Sequence, residues 1–237
     1  MDFDSFTLAA STADLAEEPA ARGHADIVEF RMDLASDPLE ALDAYVGELP
    51  LLVTNRATWE GGEAAEPDEA GRFDTLAAAT EYDAVAAVDV ELRALTGDAD
   101  AVTDTSHATM LRDLAHDRDV TVVASVHDFE STPPAEELRD LLDTAATEGD
   151  VGKLAVTAHD RSDTLALLSA THEATAAGER VATMAMGEAG RHTRAVAPVY
   201  GSKLGYAPVD PENATAPGQY DLATLSELVA ALDAPES

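Results

Sequence analysis

Cysteine is absent from this 237-residue chain. Disulfide frameworks, thiol nucleophiles and thiolate metal sites are therefore excluded. Long apolar runs are missing as well: no stretch approaches 18 consecutive apolar residues, so no membrane-spanning helix is predicted. The opening "MDFDSFTLAA" lacks the basic region and apolar core of a signal peptide, and the expected location is the cytoplasm. Positive charge is scarce. Fourteen Lys and Arg stand against 47 Asp and Glu, a formal net charge of −33. Nucleic-acid binding needs a basic footprint, which this chain does not have. Lysine is scarcest of all: Lys153 and Lys203 stand beside 12 arginines.

What is present in quantity is alanine and acid. So large a charge repels itself, and it is tolerable where molar salt cuts the screening length to about 3 Å. The composition predicts a protein adapted to a molar-salt, halophilic cytoplasm. With 46% hydrophobic residues in regular clusters, an acidic disordered chain is not expected. The histidines offer no H-E-x-x-H or other zinc motif, and His107 and His116 are not at a ligand spacing. No metal is predicted.

Strand-like and helix-like segments alternate along the chain. Strands are predicted at 6–11, 25–30, 50–55, 84–90, 120–126, 151–156, 180–186 and 203–209. Helical spacing occupies the intervals, as in "PLEALDAYVGEL", "EAGRFDTLAAATEY" and "PAEELRDLLDTAATEG". Short Val/Leu/Ile-rich strands alternating with helices indicate a parallel sheet covered by helices. Eight strands and a closing helix predict an α/β protein, a single-domain (β/α)8 TIM barrel over residues 1–237. An open doubly wound sheet is the runner-up, but no G-x-G-x-x-G follows the first strand. The segment 59–71, "WEGGEAAEPDEAG", is expected to be a solvated strand-to-helix loop.

Polar residues gather where these strands end. "IVEFRMD" puts Glu29, Arg31 and Asp33 two apart, on one face. "LLVTNR" ends at Arg56, with Glu60 after it, while "VDVEL" offers Asp89 and Glu91 and "VVASVHD" reaches His127. Glu29 and Arg31 also read as a satisfied ion pair, Asp89 and Glu91 as helix caps or arginine holders, and His127 as a neutral structural histidine. Their convergence on the strand ends of a barrel, where such folds carry their chemistry, points to one pocket.

Lys153 lies within the β-favouring run "VGKLAV". It reads either as an edge-protecting lysine or as an amine whose apolar flanks keep it neutral enough to attack a carbonyl. The resulting imine is an electron sink that needs a proton-transfer partner, and His127 is the candidate on the preceding strand. Glu60 or Glu29 would orient the imidazole. Lys203, in "GSKLGY", reads as a solvated or salt-bridged residue at the start of the eighth strand.

The ordered set "EFRMD", "TNRATWEGGE", "DVEL", "SVHDF", "GKLAV", "MAMGEAGRHTR" and "ATAPGQ" resembles the type I 3-dehydroquinate dehydratase family over nearly the whole chain. The resemblance implies dehydration of 3-dehydroquinate to 3-dehydroshikimate through a lysine imine. It implies Lys153 as the imine-forming residue, His127 as general acid/base and Glu60 as its assisting glutamate. Glu29, Arg31 and Arg56 would hold substrate hydroxyls and organise the charged site. Arg194 would bind the substrate carboxylate, with Gln219 and Thr215 contacting substrate from the closing loop. No cofactor is implied, since the imine withdraws the electrons. Dimerisation is common in that family, so a homodimer is an expectation, without a sequence marker for its interface. The family's N-terminal portion is often longer than here, which leaves the barrel floor unpredicted. Two rivals remain: another imine-forming aldolase or lyase, and a non-catalytic metabolite-binding barrel. A sugar-phosphate aldolase would show a phosphate loop at strands seven and eight, where this chain has "RHTR" and "TAPGQ".

Overall fold

The computed structural model describes residues 1–64, 69–97, 102, 104–213 and 218–233. Eight strands occur in the predicted order: β1 Thr7–Thr12, β2 Ile27–Arg31, β3 Leu51–Thr54, β4 Val85–Glu91, β5 Thr121–His127, β6 Val151–Thr157, β7 Val181–Met186 and β8 Leu204–Pro208. They form one parallel sheet ordered β7-β6-β5-β4-β3-β2-β1-β8. β8 pairs with β1 in the register Ala9↔Tyr206, so the last strand returns to the first. The ring closes between β7 and β8 without a ladder. There the Lys203 N–H donates to the Val181 carbonyl at 2.7 Å, and the Thr183 N–H donates to Ser202 Oγ at 3.0 Å. The result is the expected α/β barrel with one loosely stitched seam, and the open-sheet alternative is set aside.

Helices cover the outside, among them Glu69–Ala79, Ser106–Asp117, Ala135–Glu148, Arg161–Ala177 and Leu222–Asp233. Their ends follow local chemistry. Asp160 caps the Arg161–Ala177 helix in a reciprocal box with Asp163, and Gly178 stops it in a left-handed turn at φ 97°. The helix expected over 38–49 ends early, at Asp43. Tyr45 folds back over Gly47 and its hydroxyl donates to the Leu49 carbonyl at 2.6 Å. The loop expected at 59–71 contains a short 3-10 turn, Thr58–Glu60, and the helix from Glu69; its residues 65–68 lie outside the described residues.

Alternation divides each strand between two cores. Outward residues such as Leu154 and Val156 join the helices in the larger cluster. Inward residues form a second, smaller one at the barrel bottom, including Ala9, Ile27, Leu52, Ala87, Val123, Val151, Ala182 and Leu204. The alanines leave room that Phe3 fills; it is 1% exposed and adopts a left-handed φ of 49° to turn inward. The floor that the sequence left unpredicted is thus a single phenylalanine. It is held by its neighbours: the Met1 carbonyl accepts from Thr121 Oγ1, Asp4 pairs with Arg180 at 2.8 Å, and Lys203 Nζ donates to the Asp4 carbonyl at 2.7 Å. Lys203 accordingly belongs to the bottom of the barrel, away from the strand C-termini.

Candidate active site

Above that apolar floor the inward positions turn polar. One cavity at the C-terminal rim is lined by residues from every strand but β4, or from the loops that follow them, including Ser11, Glu29, Arg31, Arg56, Glu60, His127, Lys153, Arg194, Tyr206 and Gln219. Eight of the nine sequence candidates meet there. The ninth, Thr215, lies outside the described residues.

Lys153 is 4% exposed. Its Nζ donates to Asp89 Oδ2 at 3.0 Å and stands 4.2 Å from the centroid of the Tyr206 ring. This differs from the apolar setting inferred from its flanks. Gly152 and Leu154 point away from Lys153, toward the helices, because neighbours along a strand face opposite sides. The spatial neighbours of the amine are a carboxylate and an aromatic face.

Ser125 on β5 lies opposite Lys153 in the strand register, and His127 is the next inward residue up the same strand. His127 Nδ1 is 2.9 Å from Glu60 Oε1, and the His127 backbone N–H donates to the same oxygen at 3.1 Å. That oxygen is thus an acceptor, so Nδ1 carries the ring proton and Nε2 is left as the basic nitrogen. Of the two carboxylates that sequence offered for orienting the imidazole, Glu60 does so. Glu29 instead accepts from Ser11 Oγ at 2.5 Å and from Thr54 Oγ1 at 3.1 Å. Gly61, left-handed at φ 79°, ends the turn that carries Glu60. Its bare Cα lets Phe129 approach where a Cβ would lie 2.6 Å from the ring, and Phe129 stacks on His127 with centroids 5.9 Å apart.

The electrostatics suit proton transfer. Burial, with the Arg56 and Lys153 cations adding to it, holds the His127 imidazole well below its ordinary range and therefore neutral. Burial also pushes the Glu60 carboxyl up to about 8, against the pull of Arg56. For Asp89 burial works upward, but Arg56 and Lys153 outweigh it and keep the carboxylate ionised.

The arginines divide into paired and unpaired. Arg56 donates to Ser125 Oγ at 2.8 Å and to Asp89 Oδ1 at 2.7 Å, and lies 3.1 Å from Glu91. Arg31 forms a fork with Asp33 at 2.8 and 2.6 Å, so the ion pair read between Glu29 and Arg31 is replaced by one within Arg31–Asp33. Arg194, on the helical turn Thr193–Val196, is different. It is 4% exposed, and its Nε and Nη2 have no hydrogen-bond partner among the described residues. Burial alone lowers its guanidinium to about 10. A buried cation with free donors at a cavity wall is suited to a carboxylate.

The sequence offers Asp89 among the converging strand-end residues without a catalytic role, and it does not mark Ser125 or Tyr206. The helix-cap alternative for Asp89 gives way to the arginine-holding one: it holds Arg56 and also touches the lysine amine. The period-2 alternation of β8 places Tyr206 two positions after the inward Leu204, a signal that could have found it. Among the described residues no group of three His, Asp or Glu is arranged to hold a metal ion.

The type I 3-dehydroquinase family matches residues 6–235 of this chain. The 3-dehydroquinate dehydratase of Haloarcula marismortui is 61% identical over 232 residues, covering 98% of each chain. That of Halobacterium salinarum is 56% identical over 232 residues, covering 98% of this chain and 100% of the relative. Among solved structures, the 3-dehydroquinate dehydratase from Geobacillus kaustophilus aligns with a TM-score of 0.81 at 26% identity, over 97% of this chain and 91% of that one. With a family match over nearly the whole chain, and relatives more than half identical along their full length, this chain belongs to the type I 3-dehydroquinase family.

Proposed function

We infer that this barrel dehydrates 3-dehydroquinate to 3-dehydroshikimate through an imine on Lys153. One observation carries the reading: the cavity holds a buried lysine amine, a neutral histidine one step along the adjacent strand, and a buried guanidinium with two donors unspent among the described residues. A cyclic keto acid with hydroxyl groups fits that set. Arg194 takes the carboxylate, and Lys153 condenses with the C3 carbonyl and expels water. His127 Nε2 removes a C2 proton while Glu60 holds the other ring nitrogen, and the electron pair passes through the imine as an enamine. The C1 hydroxyl leaves as water, protonated by the same imidazole, and hydrolysis frees the lysine. Arg31 and Glu29 offer polar groups to the substrate hydroxyls, with Gln219 at the rim. Nothing in this sequence of steps calls on a cofactor.

Borohydride reduction in the presence of 3-dehydroquinate, followed by peptide mapping, tests the reading. The adduct is expected on Lys153, and Lys153→Ala should show none while remaining folded in molar salt. An adduct on Lys203 would sink the assignment. His127→Ala should still form a trappable adduct while dehydration slows by about 10²–10⁴.

A cytoplasmic location and a homodimer are further parts of the proposal. The acidic composition supports the first and weighs against nucleic acid or an anionic membrane surface as partner. Exposed Val199, Tyr200 and Leu232 support the second, since association would cover them. Cell fractionation and sedimentation in molar potassium chloride are the respective checks.

A further inference from the structure

Tyr206 is 4% exposed and lines the cavity from β8. Its hydroxyl has no hydrogen-bond partner among the described residues, so its polar end does not explain its position. What the side chain does contact is the reacting atom, since Lys153 Nζ lies over the ring face at 4.2 Å. We propose that Tyr206 is a further catalytic residue, whose ring face holds the cationic nitrogen of the Lys153 adduct and so favours imine formation; this rests on the dehydratase reading above.

The charge balance of the condensation gives the reason. The free amine of Lys153 donates its lone pair to the C3 carbonyl carbon, and the carbonyl π pair moves to oxygen. That oxygen takes up protons and leaves as water, so an ammonium plus a ketone become a protonated imine plus water, with one cation on each side. The two cations differ in hydrogen count. An ammonium has three N–H groups to spend, while the protonated imine has one, and Asp89, at 3.0 Å from Nζ, is placed to take it. The remaining stabilisation has to come from a partner that needs no N–H. An aromatic face is such a partner, because it attracts positive charge through its quadrupole.

Substrate entry also removes water from around the nitrogen. Cation–π attraction strengthens on desolvation, so the ring contributes more to the adduct than to the free enzyme, as catalysis requires. The same balance limits the effect. Removal of the C2 proton converts the cation into a neutral enamine, to which the ring offers nothing. Tyr206 therefore favours accumulation of the imine and gives no help to proton abstraction, in which its stabilisation is lost.

The test is borohydride trapping at subsaturating 3-dehydroquinate, alongside kcat and KM, with the full chain in molar potassium chloride. Tyr206→Leu is expected to lower the trapping rate and kcat/KM about tenfold, mostly through KM, while Tyr206→Phe stays within about twofold of wild type. A second series guards against loss of packing. Phenylalanine carrying zero, one, two and three ring fluorines at position 206 keeps the ring in place while drawing electrons from its face. Trapping should fall stepwise along the series. A flat series, or wild-type trapping by Tyr206→Leu, overturns the proposal. If the wild type itself forms no adduct, the dehydratase reading fails and this proposal goes with it.

Discussion

Arg194 keeps two guanidinium nitrogens without a partner among the described residues, in a chain with 47 carboxylates. Long-range attraction cannot recruit its ligand, because the global field has the wrong sign and molar salt screens it. Recognition falls to contact, where an arginine fork fits a carboxylate and a lysine does not. Arg194→Lys is expected to raise KM by about 10- to 100-fold. Comparison of a quinate-like carboxylate with its uncharged amide checks the cause, since the wild type should prefer the acid and the variant should lose most of that preference. Glu60 supplies a different test. Burial raises its pKa to about 8, above the ordinary carboxylate range, so its proton stabilises the fold at low pH and that contribution is lost as pH rises toward 8. His127, lowered instead, works oppositely below its ordinary value of about 6.5, so the Glu60 effect stands alone between roughly pH 6.5 and 8. Denaturant titrations at fixed salt should show wild-type stability falling there by at most about 1.4 kcal/mol per pH unit, and Glu60→Gln should remove that slope. Both residues were legible in the sequence because a family pattern marks them. The proximity of Asp89 to Lys153 was not, since residues 64 apart meet only through the curvature of the sheet.

At the scale of elements, the strands were legible because short β-branched runs between helical stretches have few other readings. All eight appear within two residues of the predicted bounds. The seam between β7 and β8 was not legible: strand pairing is decided by neighbours in space, and nothing in "RVATMAM" or "KLGYAPV" announces a missing ladder. Nor was the early end of the helix at Asp43, which depends on where the Tyr45 hydroxyl finds an acceptor. β6 gives the clearest coupling of packing to chemistry. A Cβ added at Gly152 would lie 2.8 Å from the Ala146 nitrogen and 3.1 Å from the Ala145 carbonyl carbon. The obstruction is helix backbone and cannot rotate away. Gly152→Ala should therefore cost about 1–3 kcal/mol of stability, as overpacked cores do. By shifting β6 it should also slow adduct formation at the neighbouring Lys153. Urea unfolding and borohydride trapping on one preparation would measure both, and an unchanged unfolding midpoint would contradict the packing argument.

For the whole molecule, the charge of −33 sets the working conditions. Lowering potassium chloride from molar to 0.1 M lengthens the screening distance from about 3 to about 10 Å, so surface carboxylates begin to repel across the molecule. The urea midpoint is expected to fall steadily over that range, whereas a stability maximum near zero salt would overturn the halophilic reading and leave the enzyme assignment untouched. The charge was plain in the sequence, but the floor of the barrel was not, because a lone phenylalanine near the start carries no periodic signal. That floor has a consequence for the order of events in synthesis. Phe3 packs among residues of all the later strands, and Met1 and Asp4 bond to partners at Thr121, Arg180 and Lys203. Those partners leave the ribosome more than a hundred residues later, at roughly 5–20 residues per second. For most of translation the opening residues have nowhere to go. The barrel is sealed at its base only once β8 has emerged, so a segment made before any of the eight strands is among the last to find its place.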